Sequence, residues 1–527
     1  FFAMRRGGKK HPRRQLLRIV EGITGEVDFK VELSPRFDYG EIKPWICRHR
    51  DGRAYTACGS NQGLFISCET PLTLAGEHDI RGRFTIRAGQ RIRFSLEFAA
   101  PESLDPPLES LPLEEIDRHF DETLQWWRYW SAKIRFEDDL NTCVLRSAIV
   151  LRVLGYAPTG AIIAAPTTSL PETPGGERNW DYRYSWIRDS IFTVHALADL
   201  GCVSEANEFR RFIQRSAAGN AEELQVLYAV DGKRRLTEVV LDHLEGYRGA
   251  RPVRIGNAAD EQFQSDMYGL ILELSWRWSE RGNSPDAHYW DFLVEIVNAT
   301  IEHWQQPDRG IWEIRSEPRH FVHSKVMCWA AVNRGIGLAE KHALKAPLTD
   351  WDAARDAIRN AVESRGYDAQ RGVFVQDFGA HELDAALLLL PDVDFVDYDD
   401  PRMIRTVDAI RADLDEQGLI LRYRSKDGLR GGEGVFLACT FWLVKCLALQ
   451  GRLPEAQQVF DRVLRCANDL GLFAEEYNVA ADEMLGNFPQ GLTHLSHISA
   501  ALALARARGE VPESPHETTQ ARRADGR

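Results

Sequence analysis

Residues 434–450 read GVFLACTFWLVKCLALQ, and residues 453–469 read LPEAQQVFDRVLRCAND. Apolar residues recur with helical periodicity in both segments, so each predicts an α-helix. Only Gly451 and Arg452 separate them, which makes the two helices neighbours that run antiparallel. The next predicted helix, residues 490–507, follows only after a long connection. A short connection followed by a long one is therefore the local pattern.

The same pattern extends over most of the chain, from about residue 139 onward. Twelve helices are predicted, near residues 139–154, 187–200, 204–217, 260–281, 285–304, 324–341, 350–363, 380–390, 402–413, 434–450, 453–469 and 490–507. Connections after even-numbered helices are short, and those after odd-numbered helices are long. Because successive helices alternate in direction, all the long connections emerge at one end of the assembly. The prediction is a mainly α protein, an (α/α)6 toroid of two concentric rings whose long loops form a pocket at one mouth. The alternative is an α-solenoid whose long loops form no functional site.

The amino-terminal region has a different pattern. Apolar and polar residues alternate in residues 16–22, 27–33, 63–67 and 91–98, which predicts an antiparallel β-sandwich. The domain prediction is a β-sandwich over 1–105, a linker with a linker helix over 106–136, a barrel over 137–508 and a disordered tail over 509–527. We expect the sandwich to be truncated and incomplete, with an unpaired edge.

Composition limits the partners. The chain has 527 residues and a net charge of −13, which argues against nucleic acid as the main partner, since phosphate binding favours a basic surface. The basic run between Arg5 and Arg14 is predicted as a solvated turn, with a nucleic-acid arm as the alternative. Without an apolar run of about 18 residues, no membrane segment is expected. The nine scattered cysteines show no metal-binding spacing and are interpreted as reduced, mostly buried thiols, which favours the cytoplasm. The oligomeric state remains open.

The first long loop is rich in charged and aromatic residues. Residues 171–190 read PETPGGERNWDYRYSWIRDS and end at the start of a predicted helix. Sugars need flat aromatic faces for their C–H surfaces and planar hydrogen-bonding groups for their hydroxyls. Arg188 and Asp189 offer a fixed donor fork and an acceptor. On composition alone, the favoured interpretation is that Asp189 is a charge in the first turn of the helix and that Arg188 is its partner on the surface.

Two further long loops carry carboxylates beside large apolar side chains. Residues 308–315 read DRGIWEIR, and residues 471–478 read GLFAEEYN. Apolar surroundings raise the pKa of a carboxyl group. Both loops lie on the same predicted mouth, so Glu313 and Glu475 are expected to face one substrate. Hydrolysis of an acetal needs one acid for the leaving oxygen and a second carboxylate that acts on water or carbon.

Four motifs, in order, resemble glycoside hydrolase family 15, which groups glucoamylases, glucodextranases and bacterial trehalases. They are NWDYRYSWIRD at 179–189, RIGNAA at 254–259, GIWEIR at 310–315 and GNFPQ at 486–490. The resemblance spans about residues 15–505. It implies an (α/α)6 barrel preceded by a β-sandwich.

The resemblance also implies site residues. Glu313 matches the general-acid position and Glu475 the general-base position, with Glu476 as the rival base. Further positions are implied to bind the substrate. They are Trp186, Arg188 and Asp189 for the terminal glucose, and Arg422 and Tyr423 for the next sugar. Trp312 and Glu433 are additional candidates. A cap for the following helix is an equal alternative for Glu433. Gln264, Asp266 and Tyr268 are either pocket-facing or simply buried.

The implied activity is an inverting glycoside hydrolase that releases β-glucose from the non-reducing end of α-glucosides. We expect the two carboxyl groups to stand about 6.5–9.5 Å apart, the spacing of inverting enzymes. Because carboxylates fill both protic roles, no metal or organic cofactor is expected. The motifs leave open whether the substrate is α,α-trehalose, maltose, isomaltose or a starch end. A non-catalytic carbohydrate-binding or regulatory protein on the same scaffold is the alternative.

Overall fold

The computed structural model describes residues 1–5, 12–49, 52–105, 109–134, 136, 141–217, 220–221 and 224–511. Most of the predicted basic turn and nearly all of the predicted tail lie outside the described residues. The chain forms two compact units, Phe1–Ala132 and Lys133–Arg527.

The first unit contains two antiparallel sheets. Its strands are β1 (Gln15–Glu21), β2 (Glu26–Leu33), β3 (Trp45–Arg48), β4 (Ala54–Gly59), β5 (Gln62–Cys68), β6 (Thr73–Ala75), β7 (Asp79–Arg87) and β8 (Arg91–Ala99). One sheet has the order β1-β8-β5-β4-β3 and the other β2-β7-β6. Tyr55, Ile66 and Phe94 of the larger sheet pack in one core with Ile80 of the smaller sheet. A helix, α1 (Leu113–Ser131), completes the unit. The strands predicted from alternation are confirmed, because one face of each sheet packs into this shared core.

The described part of the second unit is mainly helical. Its α-helices are α2 (Asn141–Leu154), α3 (Ile187–Asp199), α4 (Ser204–Ser216), α5 (Asp266–Glu280), α6 (Ala287–His303), α7 (Val322–His342), α8 (Leu348–Arg365), α9 (Pro401–Leu414), α10 (Leu437–Leu449), α11 (Leu453–Leu464) and α12 (Gly491–Ala507), and a 3-10 helix spans Ala385–Val393. Short paired strands occur in the connections, at Gly155–Tyr156, Ala161–Ile162, Ser185–Trp186, Leu227–Tyr228, Val239–Val240, Arg254–Ile255, Tyr367–Asp368, Val373–Phe374, Asp415–Glu416, Leu419–Ile420, Val435–Phe436, Glu476–Asn478 and Glu483–Leu485.

Six elements close an inner ring. Helix α3 packs against α5, α5 against α7, α7 against the 3-10 helix, the 3-10 helix against α10, α10 against α12, and α12 against α3. Each inner element also contacts one outer helix or more, from the set α2, α4, α6, α8, α9 and α11. Inner helices such as α10 and α12 are buried on nearly all sides, whereas outer helices such as α4 bury one face. The predicted (α/α)6 toroid is confirmed.

Four predicted helices differ from the structure, and one of them, predicted over 453–469, ends at Leu464 with Arg465 as its C-cap. The other three differ for local reasons. The helix predicted over 260–281 begins only at Asp266, because the side chain of Asn257 caps a separate 3-10 turn at Ala258–Glu261. The segment predicted as a helix over 380–390 is the 3-10 helix, which Asp384 caps and which contains Pro391, a residue without a backbone donor. The helix predicted from residue 434 begins at Leu437, since Val435 and Phe436 pair with the strand at Glu476.

All nine cysteines are free thiols, and six of them are buried. Within the described residues, no helix has the length and apolar character needed to cross a bilayer.

Candidate active site

The long connections meet at one end of the barrel. Each follows an outer helix and leads into the first residue of an inner helix, as at Ile187, Asp266, Val322, Leu437 and Gly491. The amino-terminal ends of these inner helices therefore surround one mouth. Backbone N–H groups at helix amino-termini carry partial positive charge, which favours carboxylates and polar ligands there.

A cavity of about 380 Å³ of empty volume lies at this mouth. Seven of the nine predicted site residues line it: Trp186, Arg188, Asp189, Trp312, Glu313, Arg422 and Glu475. Its remaining lining is Ala164, Tyr182, Ile311, Phe436, Gln490 and Leu492. The loops at 171–190, 308–315 and 471–490, far apart in sequence, thus contribute to one concave surface.

Glu313 lies in the third long connection, in a left-handed backbone conformation with φ of 59°. A side chain other than glycine adopts this conformation only where surrounding contacts hold it. Its Oε1 accepts a hydrogen bond of 2.7 Å from the indole nitrogen of Trp186 and lies 3.6 Å from Nη1 of Arg188. Burial raises the pKa of Glu313, and the charge of Arg188 and the Trp186 bond oppose this shift.

Glu475 is more deeply enclosed, with 2% of its surface exposed. Its Oε1 accepts a hydrogen bond of 2.7 Å from the hydroxyl of Tyr182, while its buried Oε2 has no hydrogen-bond partner among the described residues. Burial raises the pKa of Glu475 well above its usual range, and the nearby Glu172 carboxylate raises it further. The Tyr182 hydrogen bond and the charge of Arg422 act in the opposite direction.

Arg188, which is partly exposed, and the buried Asp189 form an ion pair in the first turn of α3. Nε of Arg188 donates to Oδ2 of Asp189 at 3.0 Å, and Nη1 of Arg188 donates to the carbonyl of Ile311. Asp189 is 2% exposed, and its Oδ1 has no partner in the described part of the chain. The interpretation of this pair as a surface ion pair is wrong, because both side chains belong to the cavity wall.

Two further pockets continue outward from the cavity. The nearer one has about 450 Å³ of empty volume, shares Tyr182, Trp312, Glu313 and Arg422 with the cavity and adds Tyr423. The outer one, of about 1270 Å³, contains both Tyr423 and Glu433. Tyr423 and Glu433 are thus the two predicted site residues that do not line the innermost cavity.

Glu433 belongs to an ion network between the pockets. It binds the guanidinium of Arg422 and lies 3.3 Å from that of Arg178, which also forms a two-pronged pair with Asp427 at 2.7 and 3.1 Å. The helix that follows has Phe436 at its N-cap without a side-chain bond, so the helix-cap alternative for Glu433 is wrong.

Three carboxylates of this network approach one another closely. Oxygen atoms of Glu172, Glu433 and Glu476 lie within 4.8 Å of one another, a spacing that suits a cation. Two guanidinium groups, those of Arg178 and Arg422, lie within 4.0 Å of members of the cluster and supply positive charge there. Burial and the neighbouring Glu433 raise the pKa of Glu172 to about 7, while Arg422 and Arg178 oppose this.

Glu476, the rival base, points into this cluster. Its Oε2 accepts a hydrogen bond of 2.8 Å from the backbone nitrogen of Gly434, and it is absent from the cavity lining. Gln264, Asp266 and Tyr268 are buried but also lie outside that lining.

Sequence reasoning missed several residues of the site. Tyr182 stands inside the quoted motif, four residues before Trp186, but a tyrosine there has many possible roles. Gln490 ends the GNFPQ motif and caps α12 through Thr493. Asp384 accepts a hydrogen bond of 2.8 Å from the indole nitrogen of Trp312, a contact that no local pattern signals.

Solved structures with this fold define the class of the barrel. A bacterial glucoamylase complexed with acarbose matches 88% of this chain and 74% of its own, with a TM-score of 0.68 and 14% identity. A structure described as a wild-type glycosidase matches 72% of this chain and all of its own, with a TM-score of 0.56 and 19% identity. At these identities the likeness shows the fold alone, a six-hairpin barrel.

Sequence comparison gives the family. The profile of glycosyl hydrolases family 15 matches residues 139–502, and the chain belongs to this family. The trehalase of Mycobacterium tuberculosis strain H37Rv is 41% identical over 512 residues, which cover 95% of this chain and 74% of the relative. The trehalase of Thermoplasma volcanium is 39% identical, over 93% of this chain and 77% of the relative. The protein is therefore a glycosidase, as the motifs predicted.

Proposed function

We propose that this glycosidase hydrolyses α,α-trehalose with inversion, with Glu313 as general acid and Glu475 as general base. The observation that carries the proposal is the single cavity that both glutamates line, beside the Arg188–Asp189 pair. The choice of trehalose rests on relatives with that printed activity, which are about 40% identical over more than nine-tenths of this chain.

The surroundings of Glu313 suit a proton donor. Burial raises the pKa of this carboxyl, so that its protonated form persists to higher pH than for an exposed glutamate. The Trp186 bond fixes one oxygen and leaves the other to donate toward the glycosidic oxygen. A proton transferred in this way leaves with the departing glucose.

Glu475 accepts a proton from water in this proposal. Its Oε2 is unpartnered, and an ordered water is the natural donor to a buried carboxylate oxygen. Burial and Glu172 raise the pKa of Glu475 well above its usual range, so the ionised form that the base role needs is populated only toward higher pH, and Tyr182 and Arg422 limit this rise. The water oxygen forms a bond to C1 as the C1–O bond to the leaving glucose breaks, and the two protons end on Glu475 and on the leaving oxygen.

Substrate binding divides between the inner cavity and the adjoining pocket. Trp186 and Trp312 offer apolar surface to the first sugar ring, and Arg188 and Asp189 offer a donor fork and an unpartnered acceptor. Arg422, held by Glu433, lies between the two pockets and faces the second ring together with Tyr423. These groups are neutral or paired, which suits a neutral disaccharide.

A substrate panel tests the proposal. Purified protein is incubated with trehalose, maltose, isomaltose and soluble starch, and glucose release is measured. Trehalose is expected to give the highest kcat/KM, and faster release from starch or maltose would replace it with a glucoamylase-type activity. The variants Glu313→Gln and Glu475→Gln should retain their fold and lose most turnover on every substrate. Glu317→Gln, on an exposed glutamate four residues from Glu313, is the matched control. Full turnover in either of the first two variants would overturn the assignment of the pair.

A further inference from the structure

A second large cavity lies inside the barrel, in the half away from the long loops. Its empty volume is about 2270 Å³, and the part that admits the centre of a water-sized sphere is about 610 Å³, within the range of about 300–1000 Å³ typical of small-molecule sites. Its lining comes from all six inner elements. It shares no residue with the cavity that Glu313 and Glu475 line, which is called the sugar cavity below. On α12 the lining runs from Leu495 to Ala507, a length of about 18 Å at the helical rise of 1.5 Å per residue. The cavity therefore runs along the axis of the barrel, and we call it the axial cavity.

The interior of this axial cavity is largely apolar and aromatic. Phe192, Leu270, Met327 and Trp442 are among its lining residues. His323 also lines it, with 5% of its surface exposed and no hydrogen-bond partner for Nδ1 among the described residues. Burial lowers the pKa of His323 to about 3, so this ring is neutral and offers no repulsion to a cation.

The outer end of the axial cavity is electronegative. Helices α3, α10 and α12 end there with their carbonyl groups, which carry partial negative charge. Carboxylates in the lining outnumber basic side chains five to three: Asp199, Glu273, Asp392, Asp397 and Asp399 against Arg277, Lys445 and Arg506.

Most of these charges are already paired. Glu273 binds Arg277 at 2.7 Å, Asp392 binds Lys445 at 2.8 Å, and Asp199 binds Arg281 outside the lining. Asp397 and Asp399 are exposed and form no ion pair in the described part of the chain. Between them stands Tyr398, which also lines the cavity and whose hydroxyl donates to Asp392. Asp397 and Asp399 thus give this end a net negative charge beside an aromatic ring, with Arg506 as the one basic side chain of the described lining outside these pairs.

We propose that the axial cavity is a second ligand site, for an organic ammonium ion with an apolar body. The ammonium group lies between Asp397, Asp399 and the ring of Tyr398, and the apolar body extends inward toward Phe192 and Trp442. Aromatic faces attract ammonium ions through their quadrupole, and carboxylates add charge complementarity. A neutral or anionic molecule of the same shape lacks both contributions.

Trp442 supplies a readout of occupancy. Its ring lines the axial cavity and stacks on the ring of Trp312 at a centroid distance of 5.7 Å and an angle of 29°. Trp312 lines the sugar cavity on the other side. A ligand against Trp442 is expected to change tryptophan fluorescence, and Trp442→Phe should remove most of that change.

The test is a titration of the full chain with benzyltrimethylammonium chloride, followed by calorimetry and by tryptophan fluorescence. Benzyl alcohol and sodium benzoate are the neutral and anionic comparisons, and saturating glucose occupies the sugar cavity throughout. The proposal expects saturable binding of the ammonium ion alone, unaffected by glucose. Equal binding of the three probes, competition by glucose, or no saturable binding of the ammonium ion would overturn it.

Two variants locate the binding. Asp397→Asn with Asp399→Asn should weaken binding about five- to tenfold, as expected for two partly screened charges. Asp413→Asn, on an exposed aspartate of α9, is the matched control and should bind as the unmodified chain does. Ser499→Trp places a bulky side chain in the lining and should abolish binding without lowering the thermal midpoint by more than a few degrees. Unchanged affinity in both the double variant and Ser499→Trp would place the ammonium ion elsewhere and contradict the proposal.

Discussion

The indole nitrogen of Trp186 donates a hydrogen bond of 2.7 Å to Oε1 of Glu313. Four residues earlier, the hydroxyl of Tyr182 donates a bond of the same length to Oε1 of Glu475. The two aromatic rings contact each other edge to face, with centroids 5.5 Å apart. One short segment of the first long loop therefore orients both carboxylates, each through its own donor.

Trp186→Phe removes the donor to Glu313 and keeps an aromatic ring. Because the bond favours the ionised carboxylate, its loss raises the pKa of Glu313 further, and the limb of the kcat/KM profile that Glu313 controls should move to higher pH. A bond to a charged group contributes about 1.5–3 kcal/mol, so kcat is expected to fall about ten- to a hundredfold. Steady-state kinetics across pH measures both effects. Trp278→Phe, which removes an indole bond to Asn207, is the control and should leave the profile unchanged.

Tyr182→Phe acts on the other carboxyl group. The Tyr182 bond lowers the pKa of Glu475, so its removal raises that pKa, and the limb of the profile that Glu475 controls should move to higher pH. The same pH series measures this shift, and the limb that Trp186→Phe moves should stay in place. The two variants should therefore move different limbs, and a shift of the same limb by both would contradict separate control of the two carboxyl groups by Tyr182 and Trp186.

Gly486 gives Glu475 the space it occupies. A Cβ atom at residue 486 would lie 2.8 Å from Oε2 and 3.0 Å from Cβ of Glu475, and the backbone there has φ of +76°. Gly486→Ala is expected to displace the carboxylate and reduce kcat more than tenfold. Gly282→Ala has φ of +84° and no atom within 4 Å of the added Cβ, so it reproduces the backbone strain alone. Gly282→Ala should lose about 1 kcal/mol of unfolding free energy and Gly486→Ala at least as much, and equal activity in the two would show that Glu475 tolerates the added methyl group.

Stability should fall in acid because buried histidines resist protonation. Burial lowers the pKa of His497 to about 3, while an unfolded histidine titrates near pH 6.5. Below about pH 6.5 the unfolded chain takes up a proton that the folded chain does not, so unfolding free energy declines as pH falls toward 3, by up to about 1.4 kcal/mol per pH unit for this residue. His497→Phe should make that decline shallower by this amount, measured by urea unfolding between pH 4 and 7. The rings of Phe441, Phe460 and Phe473 lie within 5.7 Å of His497 and can accept a phenyl group. An unchanged slope would contradict this origin of acid sensitivity.

The architecture could be predicted from the sequence because the architecture depends on local patterns. Helical periodicity and the alternation of short and long connections predicted the closed ring of inner helices. Helix starts depended on contacts across the fold instead. The late start of α10 follows from pairing between Val435 and Tyr477, which lie in different connections.

Those residues of the site that lie in family motifs could be predicted from the sequence, and the others could not. Glu313 and Glu475 lie in family motifs, and the fold brings them into one cavity. Glu172 and Arg178 also stand in a quoted loop, but their partners Asp427, Glu433 and Glu476 lie about 250 residues or more away in the chain. No spacing rule reveals an ion network assembled from such distant segments, and its effect on the pKa of Glu475 appears only in the folded chain.

The most direct test is the anomeric form of the first products from α,α-trehalose, followed by proton NMR before mutarotation. In an inverting reaction, water attacks C1 of one glucose from the opposite face and yields β-glucose, while the departing glucose keeps its own C1–O bond and its α configuration. The proposed roles of Glu313 and Glu475 predict equal initial amounts of α- and β-glucose. Initial release of α-glucose alone would demonstrate retention and contradict the assignment of Glu475 as a base acting on water.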